Sequence, residues 1–179
     1  MHSCHQKLIN VCFTQMSAKN GIKTYKERAV AAMLKEYKQL EDMAVFRPQD
    51  PKLLSKTQKR QALQAVNLIK EKRNGTINGR TCAEGRPQQS SISREESTLP
   101  TISLQGLLAS LIISAYEIRA VHTFDVPGAY LQSPLPKGNV IFMKFEGELA
   151  DIMCDVKPEY KDTVTFENGK NVLYVKVLN

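Results

Sequence analysis

The chain has 179 residues, 42% hydrophobic and 24% charged, which excludes a disordered or collagen-like protein and bounds it to one ordinary domain or a domain plus an appendage. Aromatics are only 7% and there is no Trp, so the expected core is modest. Lys and Arg total 25 against 18 Asp and Glu, and the formal net charge of +7 favours a polyanionic partner, nucleic acid being the commonest.

The first 24 residues are expected to be a poorly ordered segment. His2, Cys4, His5 and Cys12 crowd there, but their spacing meets no zinc-ligand pattern. The four cysteines show no CxxC and no regular interval, which fits reduced thiols in an intracellular protein. Between Tyr25 and Leu40, Val30, Met33, Leu34, Tyr37 and Leu40 recur at helical spacing among Lys and Glu, predicting an amphipathic helix. The two prolines of FRPQDPKLL break it. Ser55 and Gln58 have capping-box spacing and should open a second helix reaching about Val66.

Asn74-Gly75 is the strongest kind of short hairpin signal, because a type I′ turn needs positive φ at both central residues. Strands are expected at about 67–73 and 76–83. The pair is cationic, with Lys70, Lys72, Arg73 and Arg80 on it and Arg86 following. It reads either as an exposed ribbon whose lysines protect an edge or as a flexible arm that closes on phosphates.

RPQQSSISREESTLP is polar and reads as a loop. Ser103 then caps a helix in which Leu104, Leu107, Leu108, Leu111, Ile112 and Ala115 form a broad apolar face, so the helix should be mostly buried. A strand through Val121–Val126, another at NVIFMKF, a variable connector over roughly 146–170 and a final strand at NVLYVKVL complete the chain. The longest apolar stretch, 107–115, holds two serines and is too short to span a bilayer. Helices, a hairpin, then a helix between strands imply an α+β or mixed α/β domain.

In FDVPGAY a lone carboxylate ends an apolar run. An Asp there can point into a cleft, and a single hard-oxygen ligand is a common protein contribution to a magnesium site. Gly128 and Ala129 leave room for an anion to approach the backbone, and Tyr130 offers a flat face. The alternative is a turn Asp that caps local N–H groups.

HTFDVPGAYLQSPLPKG resembles the first catalytic motif of copia-type (Ty1/copia) retrotransposon reverse transcriptases. MLKEYKQLEDMAVFRP, IKEKRNGTINGRTCAEGRPQQ, EESTLPTISLQGLLASLIISAYE and NVIFMKFEG resemble further segments of that family, in its order, so the resemblance covers about residues 25–179. It implies a partial right-hand polymerase, with fingers at about 25–100 and the start of the palm at about 101–179. Asp125 would bind the catalytic metal, Mg2+ or Mn2+, with the Val126 carbonyl as a second ligand. Tyr130 would be the aromatic steric gate, while Gly128, Ala129 and Arg80 would contact the triphosphate. Lys70, Lys72, Arg73 and Arg86 would contact nucleic acid. Asn78 and Glu84 replace basic residues common in the family, which implies weakened phosphate affinity in a degenerate copy.

The implied reaction is nucleotidyl transfer from dNTPs to a primer 3′-OH on an RNA or DNA template. The family completes its two-metal site with a Tyr-x-Asp-Asp turn, and no Asp-Asp pair occurs in this sequence. Asp151 and Asp155 have neither its context nor its spacing. That turn, the remaining C-terminal polymerase parts and RNase H are expected to be missing, so the chain is expected to be inactive alone. The implied location is cytoplasmic, in a virus-like particle, or nuclear, with no membrane. Two further readings stay open: a non-catalytic nucleic-acid-binding remnant, and an unrelated soluble α+β domain with a structural Asp125.

Overall fold

The computed structural model describes residues 15–86, 101–126, 128–135 and 138–178. The His2, Cys4, His5 and Cys12 cluster, the loop expected from Pro87 to Pro100, Pro127, Pro136 and the Tyr130 side chain lie outside the described residues. The molecule is mixed α+β and divides into two units, one built on residues up to 87 together with 130–179 and the other on 88–129.

The first unit holds β1 (Gln15–Ser17), α1 (Ala18–Tyr25), α2 (Glu27–Asp42), β2 (Phe46–Pro48), α3 (Lys56–Gln61), β3 (Leu63–Glu71) and β4 (Ile77–Ala83). The second holds α4 (Leu104–Tyr116), and the first resumes with β5 (Phe142–Glu146), α5 (Glu148–Val156), β6 (Val164–Glu167) and β7 (Lys170–Val177). From Gln15 onward the segment expected to be poorly ordered is in regular structure: Ser17 caps α1 by accepting from Asn20 N–H.

Seven strands form one mixed sheet in the order β1-β3-β5-β7-β2, with β4 on β3 and β6 on β7. β3 is the junction. Its Ala65–Glu71 pairs antiparallel with β4, so its other edge serves β1 at Leu68–Lys70 and, in parallel, β5 at Leu63–Gln64. The expected helix through Val66 stops at Gln61. The capping box of Ser55 and Gln58 is formed in both directions, at 3.2 and 2.9 Å. From Leu63, however, burial alternates with period two through Ala65, Asn67 and Ile69, and a sheet position outweighs one more helical turn.

The core lies between this sheet and two helices. α2 buries Ala29, Met33, Tyr37 and Leu40 along one stripe, against Ile69, Phe145, Leu173 and Val175 and against Met153 and Cys154 of α5. Phe145 is its centre, meeting Tyr37 and Phe46 edge-on with ring centroids 5.6 and 5.7 Å apart. Each such large side chain contributes roughly 1.5–3 kcal/mol by leaving water. The buried Asn67 is matched: its Oδ1 accepts from Tyr37 Oη at 3.0 Å and Thr81 Oγ1 at 2.9 Å. Burial pushes the Tyr37 hydroxyl far above its ordinary value, so it stays a donor.

The stretch read as a variable connector contains α5, a 3-10 segment at Pro158–Thr163 and β6. β6 returns into β7 through Asn168 (φ 51) and Gly169 (φ 76), flanked by the Glu167–Lys170 pair. This is the type I′ turn. The hairpin at Asn74-Gly75 closes differently: Gly75 is at φ 78, but Asn74 is not among the residues of positive φ. Lys72 N–H bonds the Thr76 carbonyl at 2.8 Å and Gly75 N–H the Lys72 carbonyl at 2.9 Å. The loop is therefore three residues with its glycine in the left-handed position, and Asn74 Oδ1 accepts from Thr76 N–H at 3.1 Å.

In the second unit, α4 starts where Ser103 predicts, with Gly106 N–H donating to Ser103 Oγ at 3.1 Å. Its expected burial is not found. Leu107 is 43% exposed and Ile112 69%, and no residue of the helix is buried. The apolar face of the helix is broad, interrupted only by Gln105, Ser110 and Ser114, and demands cover over most of its surface. The strand expected at Val121–Val126 has no ladder partner among the described residues and runs as irregular chain. Without a neighbour to take its N–H and C=O groups, an apolar run does not become a strand.

Candidate nucleic-acid interface

Strand pairing decides which cations share a face. The bonded pairs at Lys72–Thr76 and Gln64–Glu84 set the alternation of the β3–β4 ladder. Ala65, Asn67 and Ile69 face α2. Lys70, Lys72 and Arg80 therefore project from the opposite face, and Arg80 lies diagonal to Lys70 through the Lys70–Asn78 pair. Arg73 sits in the loop. All four are exposed, and Lys70, Arg73 and Arg80 make no ion pair among the described residues. Lys72 Nζ lies 3.2 Å from the Asn78 side-chain oxygen when that amide satisfies both its neighbours. Arg86 differs, because its guanidinium meets Glu84 at 3.4 Å.

The ribbon is not a free arm. Arg28 donates to the Gly75 carbonyl at 2.6 Å, Tyr25 to Glu71 at 2.9 Å, and Thr81 N–H to Glu36 at 2.9 Å. These tie the loop, the end of β3 and the outer edge of β4 to α1 and α2. At Gly79 the contact is closer still: a Cβ there would sit 2.9 Å from the Ala32 carbonyl oxygen and 2.9 Å from Met33 Sδ. The bracing residues were not legible as such, since nothing in their spacing tells which strand they meet. The cations were, through composition and the loop signal.

The FDVPGAY segment lies in and just after the second unit. Asp125 is exposed and makes no hydrogen bond or ion pair among the described residues. Phe124 before it is 88% exposed. The Val126 carbonyl accepts from Ala129 N–H at 3.2 Å, with Gly128 at φ 63, so two of the three backbone groups expected to serve a metal or triphosphate are engaged with each other. Ala129–Gln132 then forms a 3-10 turn. Asp151 is engaged elsewhere, accepting from Asn171 Nδ2 at 2.8 Å.

No group of three or more His, Cys, Asp or Glu able to hold a metal ion occurs among the described residues. Asp125 alone suits one Mg2+ that keeps waters and substrate phosphates in its shell. A two-metal arrangement needs further carboxylates beside Asp125. Chemically, the ribbon offers fixed positive charge to an extended polyanion, and Asp125 offers a single hard oxygen ligand.

No described helix is long and apolar enough to cross a membrane. No protein-family model, curated protein or solved structure matches the chain.

Proposed function

We propose that this chain is the fingers and first palm part of a copia-type RNA-directed DNA polymerase, whose reaction is metal-dependent nucleotidyl transfer to a primer 3′-OH. The observation that carries the proposal is the braced hairpin, presenting Lys70, Lys72, Arg73 and Arg80 outward within a set of motif resemblances that keep the family's order. Phosphoryl transfer draws most of its acceleration from positioning and charge neutralisation, so a rigid cationic ribbon is the kind of part such a reaction uses. In this reading Arg80 contacts a nucleotide phosphate, Lys70, Lys72 and Arg73 contact the template–primer backbone, and Asp125 supplies one carboxylate to Mg2+. Gly128, Ala129 and Tyr130 border the nucleotide, which requires the Val126–Ala129 hydrogen bond to open as the triphosphate arrives. One carboxylate does not hold two metals, so the chain alone does not polymerise.

The test has two arms. Titration with Mg2+ and a dNTP should show binding that Asp125→Asn and Arg80→Gln each weaken, and unchanged binding in both variants refutes the polymerase reading. Primer extension by the isolated chain should give no incorporation. Robust incorporation would contradict the single-carboxylate argument. A second reading, a nucleic-acid-binding remnant without chemistry, is favoured by the ribbon needing no metal to bind phosphates. It predicts salt-sensitive RNA binding with no effect of Asp125→Asn on nucleotide binding.

A further inference from the structure

β4 has one edge on β3, and its other edge pairs with no strand among the described residues. The ladder alternation that turns Asn78, Arg80 and Cys82 backbone groups toward β3 turns those of Ile77, Gly79 and Thr81 outward. Thr81 N–H is satisfied there by the Glu36 carboxylate at 2.9 Å, which confirms the direction of this edge. The outward N–H of Ile77 and both outward groups of Gly79 have no hydrogen-bond partner among the described residues, while the Ile77 carbonyl accepts from the Asn78 side-chain amide at 3.2 Å. They border a groove of about 520 Å³ between β4 and the flank of α2, walled on the helix side by Arg28, Ala31, Lys35 and Gln39.

Three properties of this groove fit one kind of occupant. Its floor is a strand edge, a ready template for one more strand. Ala31 keeps the helix wall low at the centre, so a backbone can lie alongside. Arg28 and Lys35, seven residues apart on α2, stand about 10.5 Å apart along the groove at 1.5 Å per residue. That separation is bridged by two side chains on one face of an extended peptide, which repeat at about 6.8 Å, with the long cationic stems taking up the difference. The one acid in the wall, Glu36, is committed to Thr81 at the groove's end. A second copy of the chain is disfavoured, because β4 edges meeting would bring two basic hairpins of a +7 protein together.

We propose that the β4 edge and the α2 flank form a docking groove for an extended acidic peptide, which adds to the sheet as a strand and places carboxylates on Lys35 and on the Arg28 N–H groups not taken by the Gly75 carbonyl. This site is independent of the polymerase reading and uses none of the cations assigned to nucleic acid.

The probe is a fluorescein-labelled hexapeptide of alternating Glu and Val, followed by anisotropy on the full chain. Saturable binding is expected, with the Lys-Val counterpart silent. Lys35→Gln should weaken binding about tenfold, as loss of one charge-assisted hydrogen bond does. Ala31→Trp, which fills the groove, should abolish it while circular dichroism and the unfolding midpoint stay near wild type. Arg73→Gln in the hairpin loop should leave it unchanged. A hexapeptide N-methylated at alternate residues, unable to pair along one edge, should fail to bind. Equal binding of the Lys-Val or N-methylated peptide, no binding at all, or indifference to both groove variants would overturn the proposal. Displacement of the peptide by single-stranded RNA would also overturn it, since the groove would then be a phosphate site.

Discussion

Helix and hairpin approach closely at Gly79, and the approach can be tested by adding one carbon. In Gly79→Ala the new Cβ would lie 2.9 Å from the Ala32 carbonyl oxygen and Met33 Sδ, and 3.2 Å from the Ala32 carbonyl carbon. Two of these three atoms are helix backbone, so the clash cannot be relieved by rotating a side chain. Relief requires α2 to move off β4 by roughly half an ångström, against a stripe in which Ala29, Met33 and Tyr37 are fully buried. Overpacking of this kind costs about 1–3 kcal/mol. Against it stands a gain of about 0.4–1 kcal/mol, because Ala restricts the unfolded chain. The net expectation is a loss of about 1–2 kcal/mol, read as a lower midpoint in urea unfolding followed by circular dichroism, with an unchanged slope. Gly85→Ala is the matched control: nothing lies within 4 Å of its added Cβ, and it should be neutral or slightly stabilising. If Gly79→Ala matches Gly85→Ala, the hairpin is not seated on α2 in the way described here.

The Asn168-Gly169 turn gives a second test: Gly169→Ala places a side chain at φ 76 and should cost roughly 1 kcal/mol in the same assay. Glu41 joins α5's C-terminal end to α2 by accepting from Lys157 and Tyr160. Its hydrogen bond raises the Lys157 amine above 10.5, and burial together with the same carboxylate raises the Tyr160 hydroxyl. Both folded-state values exceed the unfolded ones, so this stability is whole below about pH 10 and is lost as pH climbs through the raised values. Glu41→Gln should flatten that alkaline loss in a pH series of unfolding midpoints. On the acid side, Lys59 and then Tyr174 hold Glu167 below 4.5, so its contribution is present above that pH and lost as pH falls through the lowered value. Glu167→Gln should be less stable than wild type at pH 7 and nearly equal to it near pH 2.

What the sequence made legible was local. The caps at Ser55 and Ser103 need only a hydroxyl three residues from an N–H, and both form. The stripe of α2 and the apolar run of β7 follow from periodicity alone. What failed depended on partners. Leu63 and Val66 suit a helix or a strand equally, and only β4 and β5 decide. Four Asn-Gly pairs occur, yet the type I′ geometry belongs to Asn168-Gly169, where the flanking residues pair directly, and not to Asn74-Gly75, where Arg73 adds a third loop residue. The apolar face of α4 predicts a need for cover, not its presence. Within the candidate interface, the cations of the ribbon were readable from charge and spacing. The bracing by Tyr25, Arg28 and Glu36 was not, because it joins segments some 45 residues apart.

The central claim is that the outward face of the hairpin binds a polynucleotide backbone, and the salt dependence of single-stranded RNA binding measures it directly. Each phosphate neutralised contributes about −0.7 to the slope of log K against log salt, so the three cations assigned to the backbone predict a slope near −2.1 and an affinity loss of about 18-fold between 50 and 200 mM. Replacing Lys70, Lys72 and Arg80 with Gln together should bring the slope close to −0.7. An unchanged slope in that variant, or RNA binding that ignores salt, would contradict the account.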